Sequence, residues 1–363
     1  MQTLRKIGLL AATALAALAI SAAPAAVAQA TGQATGLTEP GYKTPHTGWG
    51  VPDLQGFWSN SSFTGMQRPA GATKLVMNEE EAAKLAKINV YTGARKQEAG
   101  ASKVDAKSSE ELLSDKNPSR GYNAFWMDPG QSYAKVKGEY RSSWITNPSD
   151  GRIPYSERGI QANTRGSAYD GPESRSLSER CIMSFTGSYG PVIGNGMYNN
   201  TLQFVQSPNS VMILAEMIHD ARIIPIVKSK ADVKHGPAAI PKWGGDGVGW
   251  YEGDTLVVET VNSNPKQRSY ISPAGKVMER FTRWSNDQIL YQFTVEDPTL
   301  YKQSWGGEMS LNVSKEPPYE YACHEGNYGL TGILAGARQL EREGRPQPVE
   351  KPIFAGVDVS DGE

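Results

Sequence analysis

Four histidines, His46, His219, His235 and His324, make up the whole imidazole inventory of the 363 residues, and imidazole is the side chain best suited to moving protons near neutral pH. Two of them adjoin a carboxylate, in His219-Asp220 and His324-Glu325, whereas His46 falls in a Gly- and Pro-rich leader and His235 in a polar loop. The candidate acid–base set is therefore His219, Asp220, His324 and Glu325. Arg222 and Arg283 keep their charge under any burial and can steady a developing anion. Tyr198, Asn199, Arg222, Trp250, Arg283 and Tyr328 are the candidate substrate-binding residues, with Tyr251 and Tyr321 as further aromatic walls. A bland reading stays open beside this one. In a straight strand Glu216, Ile218, Asp220 and Arg222 share a face, so an ion-pair ladder, Asp220 to Arg222 or Glu216 to Arg283, would serve the core instead. The aromatics would then be core packing.

Other chemistries find less to work with. No His-x-x-x-His or Cys-x-x-Cys spacing gathers metal ligands, although His219, His324 and one carboxylate could still meet in space. A Gly-x-Ser-x-Gly elbow is absent. Gly244-Gly245-Asp246-Gly247 precedes no helix start, so a phosphate loop is not expected. The expectation is an activity without metal, nucleotide or other cofactor. Thirty-seven basic residues against 38 acidic ones, with no basic block, make nucleic acid an unsuitable partner. Oligomeric state is not legible.

The start of the chain points to export. Arg5 and Lys6 precede an apolar run from Ile7 to Ile20, and Ala28-Gln29-Ala30 is a small-x-small cleavage pattern, so residues 1–30 read as a signal peptide. The run is shorter than the roughly 20 residues a spanning helix needs, and no integral membrane segment is expected. A periplasmic or secreted location follows, with no twin-Arg pair to mark export of a folded protein. Cys181 and Cys323 are the two cysteines. In an oxidising compartment they are expected to pair, the alternative being two separate buried thiols.

The elements that must position these residues are mostly strands. Residues 31–52 form an extended leader, 53–345 a single β-rich domain and 346–363 a loose tail. Asp53 to Trp58 reads as a first strand whose Gly56-Phe57-Trp58 is similar to the first strand of lipocalin-like barrels. Asn78 and Glu81 open a helix over Glu79 to Asn89 with a capping box. The stretch from Tyr91 to Asn117 is polar, with a short helix near Ser109 to Leu113, and Tyr140 to Thr146 reads as a strand. Further strands are expected at 202–205, 211–218, 222–227, 248–251, 255–261, 277–284, 289–295 and 300–305. Glu252-Gly253 is a tight hairpin. Such a meander closes best on itself, as an antiparallel, lipocalin-like (calycin-like) barrel or a strongly curved sheet. A C-terminal helix follows from Tyr328 to Glu343, with Tyr328, Ile333, Leu334, Ala337 and Leu340 as its apolar stripe.

Several segments together resemble a large family of secreted bacterial proteins, mostly described as hypothetical. They are Tyr198-Asn199-Asn200, the run from Glu216 to Pro225 (EMIHDARIIP), Gly249 to Thr260 (GWYEGDTLVVET), Glu279 to Arg283 (ERFTR), Phe293 to Pro298 (FTVEDP) and Tyr321 to Gly329 (YACHEGNYG). The likeness extends less densely through Asp170 to Glu173 and Arg180-Cys181 back to Pro52 to Gly56. It implies secretion and brings no settled activity. The functional expectation rests on the residues themselves: an exported, cofactor-independent lyase working by general acid–base chemistry on a small aromatic molecule, for instance a lignin-derived one. The alternatives are a periplasmic small-molecule carrier without catalysis, or a hydrolase or lyase of sugar derivatives.

Overall fold

The fold is described from a computed structural model, over residues 36–89, 91–93, 127–164, 171–172, 175–184, 190–267 and 270–345. The signal segment, the helix expected near Ser109 to Leu113 and the tail from residue 346 lie outside these described residues.

Thirteen strands and three helices are labelled in chain order: β1 (Gly56–Ser59), β2 (Val76–Met77), α1 (Glu79–Lys87), β3 (Lys135–Val136), β4 (Glu139–Arg141), β5 (Ile145–Asn147), α2 (Glu157–Thr164), β6 (Thr201–Ser207), β7 (Ser210–Ala215), β8 (Ala221–Pro225), β9 (Asp246–Glu252), β10 (Thr255–Val261), β11 (Lys276–Arg283), β12 (Gln288–Glu296), β13 (Trp305–Val313) and α3 (Tyr328–Arg342). The main sheet runs β8-β7-β6-β1-β13-β12-β11-β10-β9, with β5 added to β13. Read around the ring, the nine strands follow one another in chain order, and every ladder between them is antiparallel. An odd number of alternating strands cannot close without one parallel junction. That junction is where β8 and β9 meet, through a single parallel bridge, Ile226 to Gly249, and a bond from Val227 N–H to Gly249 O of 2.8 Å. The sheet is thus nearly closed into a barrel, and its one weak seam has a topological cause.

Local chemistry accounts for the strand ends. Glu252 pairs with Thr255 across the β9–β10 hairpin, leaving Gly253 and Asp254 as the turn, and Gly253 takes the positive φ of 57° that such turns require. Asn78 accepts from Glu81 N–H while the Glu81 side chain caps Asn78 in return, the reciprocal box that starts α1. On β12, Tyr291, Phe293 and Val295 are buried on the inner face, as period-two alternation demands.

The barrel interior is packed. Phe204, Phe281, Tyr291, Phe293 and Trp305 run through it with successive ring centroids 4.9 to 5.8 Å apart, a spacing at which aromatic pairs attract. Val192 and Ile193, from the segment before β6, belong to the same buried cluster. Gly190 shows how tightly that segment enters: a Cβ there would lie 2.5 Å from Arg222 Nη1, and φ is +87°. At one end the leader closes over the strands. Glu39 N–H donates to Trp284 O (2.8 Å), and Leu54, fully buried, donates its N–H to Gln206 Oε1 at 2.6 Å. Outside β12 and β13 sits a small sheet, β2-β4-β3, whose Arg141 and the neighbouring Lys137 reach the Glu308 carboxylate of β13.

Four expectations are corrected. The strand expected at 211–218 ends at Ala215, because Met217–His219 turns with Ile218 at φ 57°. The run 140–146 divides between β4 and β5, as each pairs with a different sheet. The first strand begins at Gly56, since Asp53 N–H is taken by Pro45 O of the leader and Leu54 N–H by the Gln206 side chain. A turn over 298–300 and an isolated bridge from Tyr301 to Tyr155 take the place of the expected strand, and the strand expected to end at Trp305 starts there instead. The buried Asp297 carboxylate holds that turn, accepting from Thr299 N–H at 2.9 Å and Leu300 N–H at 3.2 Å.

Candidate functional site

His219 and Asp220 sit at the corner between β7 and β8, at the barrel end opposite the leader. The corner needs two consecutive left-handed residues, Ile218 (φ 57°) and His219 (φ 44°), a conformation unfavourable for a β-branched side chain. Ile218 is buried, so packing holds it there. The turn sends the His219 ring outward, exposed, where Nδ1 lies 3.3 Å from Tyr321 O. A carbonyl only accepts, so Nδ1 carries the proton in this contact, and in the neutral tautomer Nε2 is the acceptor.

Asp220 is half-buried and accepts from Ser184 N–H at 2.9 Å through Oδ2. Burial pushes its carboxyl up to about 6, with the Ser184 bond and the adjacent His219 opposing the shift. A carboxyl whose value is raised by burial, set beside an exposed imidazole, is the kind of arrangement acid–base work uses.

The surroundings are tied together covalently. Cys181 and Cys323 are bonded, their Cα atoms 5.8 Å apart, and Asn327 Nδ2 donates to Glu179 O at 2.6 Å. These links fix the segment carrying Tyr321 and His324 beside the one carrying Ser184. Glu216, buried, accepts from Thr201 N–H (3.2 Å) and Tyr319 N–H (3.4 Å), joining the corner to the start of β6 and to the same segment. His324 and Glu325 are exposed in the turn after Cys323. Asn199 holds a positive φ of 53° just before β6, and its neighbour Asn200 does the bonding, to Asp128 O and Gly196 O. Tyr198 lies half-buried in the same approach.

The remaining binding candidates do not meet at this corner. Arg222 points into the barrel, where its guanidinium grips Glu279 with both amino groups, one at 3.1 Å, and reaches Thr260 Oγ1 at 3.3 Å. Tyr291 completes the group by donating to Glu279 Oε1 (2.8 Å) and accepting from Ile193 N–H (3.1 Å). Both ion-pair ladders considered from sequence are therefore corrected: the partner of Arg222 is Glu279, and Glu216 serves backbone amides. Arg283 donates to Asp53 O and Asn286 O and lies over the Trp58 ring, 5.1 Å from its centroid, so it anchors the leader. Trp250 faces outward, on the opposite face of β9 from Gly247, where an added Cβ would lie 3.7 Å from Arg222. Its indole N–H goes to Glu252 at 2.8 Å. Tyr328 opens α3 with 82% of its surface exposed, and of the expected stripe only Ala337 is buried.

One cluster escaped the sequence reading. His235 lies between two carboxylates, Nδ1 3.4 Å from Asp246 and Nε2 3.2 Å from Glu259. Lys242 and Gly236 N–H also bind Asp246. Burial would raise that carboxyl, but these partners outweigh it and hold it below its usual range. The carboxylates come from β9 and β10, which only the hairpin register brings together. The legible sign was the alternation of β10, which places Glu259 on the outward face with Val257. Among the described residues no group of three or more His, Cys, Asp or Glu side chains is placed to hold a metal ion. Here each imidazole nitrogen already faces its own carboxylate.

The fold and site define a nearly closed nine-stranded antiparallel barrel with a packed interior and a carboxyl–imidazole corner at one end. No family model, no curated protein and no solved structure matches this chain.

Proposed function

We propose that this is an exported protein that acts on a small aromatic molecule by cofactor-independent general acid–base chemistry, a lyase-type elimination, at the His219–Asp220 corner. The observation that carries the reading is the Asp220 carboxyl, raised to about 6 beside an exposed imidazole whose Nδ1 is turned to Tyr321 O. His219 Nε2 takes a proton from carbon, and the protonated form of Asp220 supplies one to the leaving oxygen. The bond to Ser184 N–H keeps the carboxyl in place while its proton is exchanged. His324, on the turn fixed by the disulfide, is the second imidazole at this end. Of the segments that resemble the secreted family, 216–225 forms this corner, 321–329 meets it where Tyr321 O faces His219, and 198–200 leads into Thr201, which Glu216 binds. That gathering supports the site. The disulfide supports an oxidising compartment.

The test is to incubate the purified protein with a panel of aryl ethers and aryl glycosides and follow products by mass spectrometry. Turnover lost in His219→Ala and Asp220→Asn, with unfolding midpoints within a few degrees of the parent, is the expected result. Ligand retention without any product would make the protein a carrier, and turnover unaffected by both substitutions would move the chemistry elsewhere.

A further inference from the structure

The connection from β8 to β9, residues 226–245, is an outward strap over the barrel wall. Val248, Trp250 and Val257 point away from the interior yet are buried, and the strap is bonded across their face to Gly249, Asn262 and Asn264. Its own tip is different. Pro237 to Ile240 form a hydrogen-bonded turn, Ile240 N–H to Pro237 O at 3.0 Å, with Ile240 66% and Trp243 40% exposed. Pro237, Ala238 and Ala239 are exposed as well.

This apolar tip is held out firmly. On one side Gly236 binds Asp246 through its N–H (2.7 Å) and accepts from Asn262 Nδ2 (2.9 Å). On the other, Gly244 N–H donates to Gln267 Oε1 at 2.8 Å. Loop tips in water are ordinarily polar, and a pinned apolar one marks an interaction site. The flanking charge names the partner. Residues 226–245 carry Lys228, Lys230 and Lys234 against one acid, Asp232, besides Lys242, whose ammonium is engaged by Asp246, and Asp232 accepts from Ser229 Oγ at 2.8 Å. The whole chain, by contrast, has a net charge of −1.

We propose that this strap docks the protein on an anionic lipid bilayer, with Ile240 and Trp243 entering the headgroup region and the lysines around them neutralising phosphates. An indole favours that boundary because it is apolar in body and polar at its N–H. Lysine stems can lie along apolar surface while their ammonium groups stay at the phosphates. A protein groove is the poorer fit, since lysine is depleted from protein interfaces whereas it is the residue that anionic leaflets attract. The insertion is shallow: among the described residues no helix is long and apolar enough to cross a membrane.

The experiment is co-sedimentation of the full chain with vesicles of equal parts phosphatidylglycerol and phosphatidylcholine, against pure phosphatidylcholine, at low salt and at about 0.5 M salt. Binding to the anionic vesicles alone, weakened by salt, is expected. Trp243→Ala should lower the partition roughly tenfold. The triple variant Lys228→Gln, Lys230→Gln, Lys234→Gln should lower it by about fivefold per charge. Lys242 is left out because it binds Asp246. Unfolding midpoints within a few degrees of the parent show that the exposed substitutions leave the fold intact. No binding at low salt, or equal binding to neutral vesicles, overturns the proposal. So does a dimer in solution that Trp243→Ala dissociates, which would assign the face to a second copy.

Discussion

Arg222 on β8 and Glu279 on β11 meet inside the barrel, two amino groups on two carboxylate oxygens, although two strands of the ring, β9 and β10, lie between their own. The pair spans the interior beside the weak β8–β9 junction, so it ties the two sides of the seam by charge where the backbone ladder is thin. Glu279 has no exposed surface, and its charge is compensated by Arg222 and by the Tyr291 hydroxyl.

Breaking this pair should be costly in a characteristic order. Arg222→Ala leaves a carboxylate buried without its cation and should destabilise by about 3–5 kcal/mol. Arg222→Met combined with Glu279→Leu removes both charges and should recover much of that loss. Tyr291→Phe deprives Ile193 N–H and Glu279 of one partner each, at about 1–3 kcal/mol. Urea unfolding of the three variants decides it. A double variant worse than the single one would mean that the pair is needed for more than mutual neutralisation.

Asp220 predicts a pH dependence of opposite sign to the usual carboxylate. Its folded value, about 6, lies above the ordinary 3.8, so the folded state favours the protonated form. That contribution is fully present below about pH 3.8 and is lost as pH rises to about 6. Because the group is half-exposed, solvent screening reduces the effect to on the order of 1–2 kcal/mol. Asp220→Asn should therefore stabilise the fold at pH 7.5 and change it little at pH 4. The difference between parent and variant midpoints, measured across that range, should grow with pH; a flat difference would contradict the raised value.

The disulfide predicts two readily measured outcomes. The unfolded, unreduced protein should show no free thiol. Cys181→Ser with Cys323→Ser should lower stability by about 4–5 kcal/mol on the chain-entropy account of so long a loop, and should loosen the turn that carries His324. Two titratable thiols in the untreated protein would remove the basis of both statements.

Strand patterning was legible because burial on one face writes itself as alternation: β6, β10, β11 and β12 lie within a residue or two of their expected limits. The capping box and the Gly253 turn were legible because their chemistry is local. What alternation cannot show is where a strand bends. A break between the strands was legible at 219–221, but the turn begins three residues earlier, because Ile218, a β-branched type that ordinarily avoids left-handed backbone, takes φ 57°. Partner choice was equally hidden. Asp220 and Arg222 are two residues apart and oppositely charged, yet the ring brings Glu279 to the arginine. His235 looked inert because both carboxylates it meets lie on strands that follow its loop.

That last group supports a prediction of its own. His235 stands on the strap, while Asp246 and Glu259 stand on the strands beneath it, at 3.4 and 3.2 Å from its two nitrogens. Nε2 is within hydrogen-bond distance of Glu259 and Nδ1 faces Asp246, so the ring bridges the strap to the wall. His235→Leu keeps similar bulk but removes the bond to Glu259 and the imidazole beside Asp246, leaving Asp246 to Lys242 and Gly236 N–H. Glu259 then loses its tie to the strap, so the loss should appear locally, as faster amide exchange over residues 228–245 and over the buried outer residues Val248 and Trp250. Globally the cost should stay at about 1–2 kcal/mol, because the barrel core does not depend on these contacts. Exchange by mass spectrometry gives the answer. Unchanged protection of the strap would show that the backbone bonds at Gly236, Lys242 and Gly244 hold it without the imidazole.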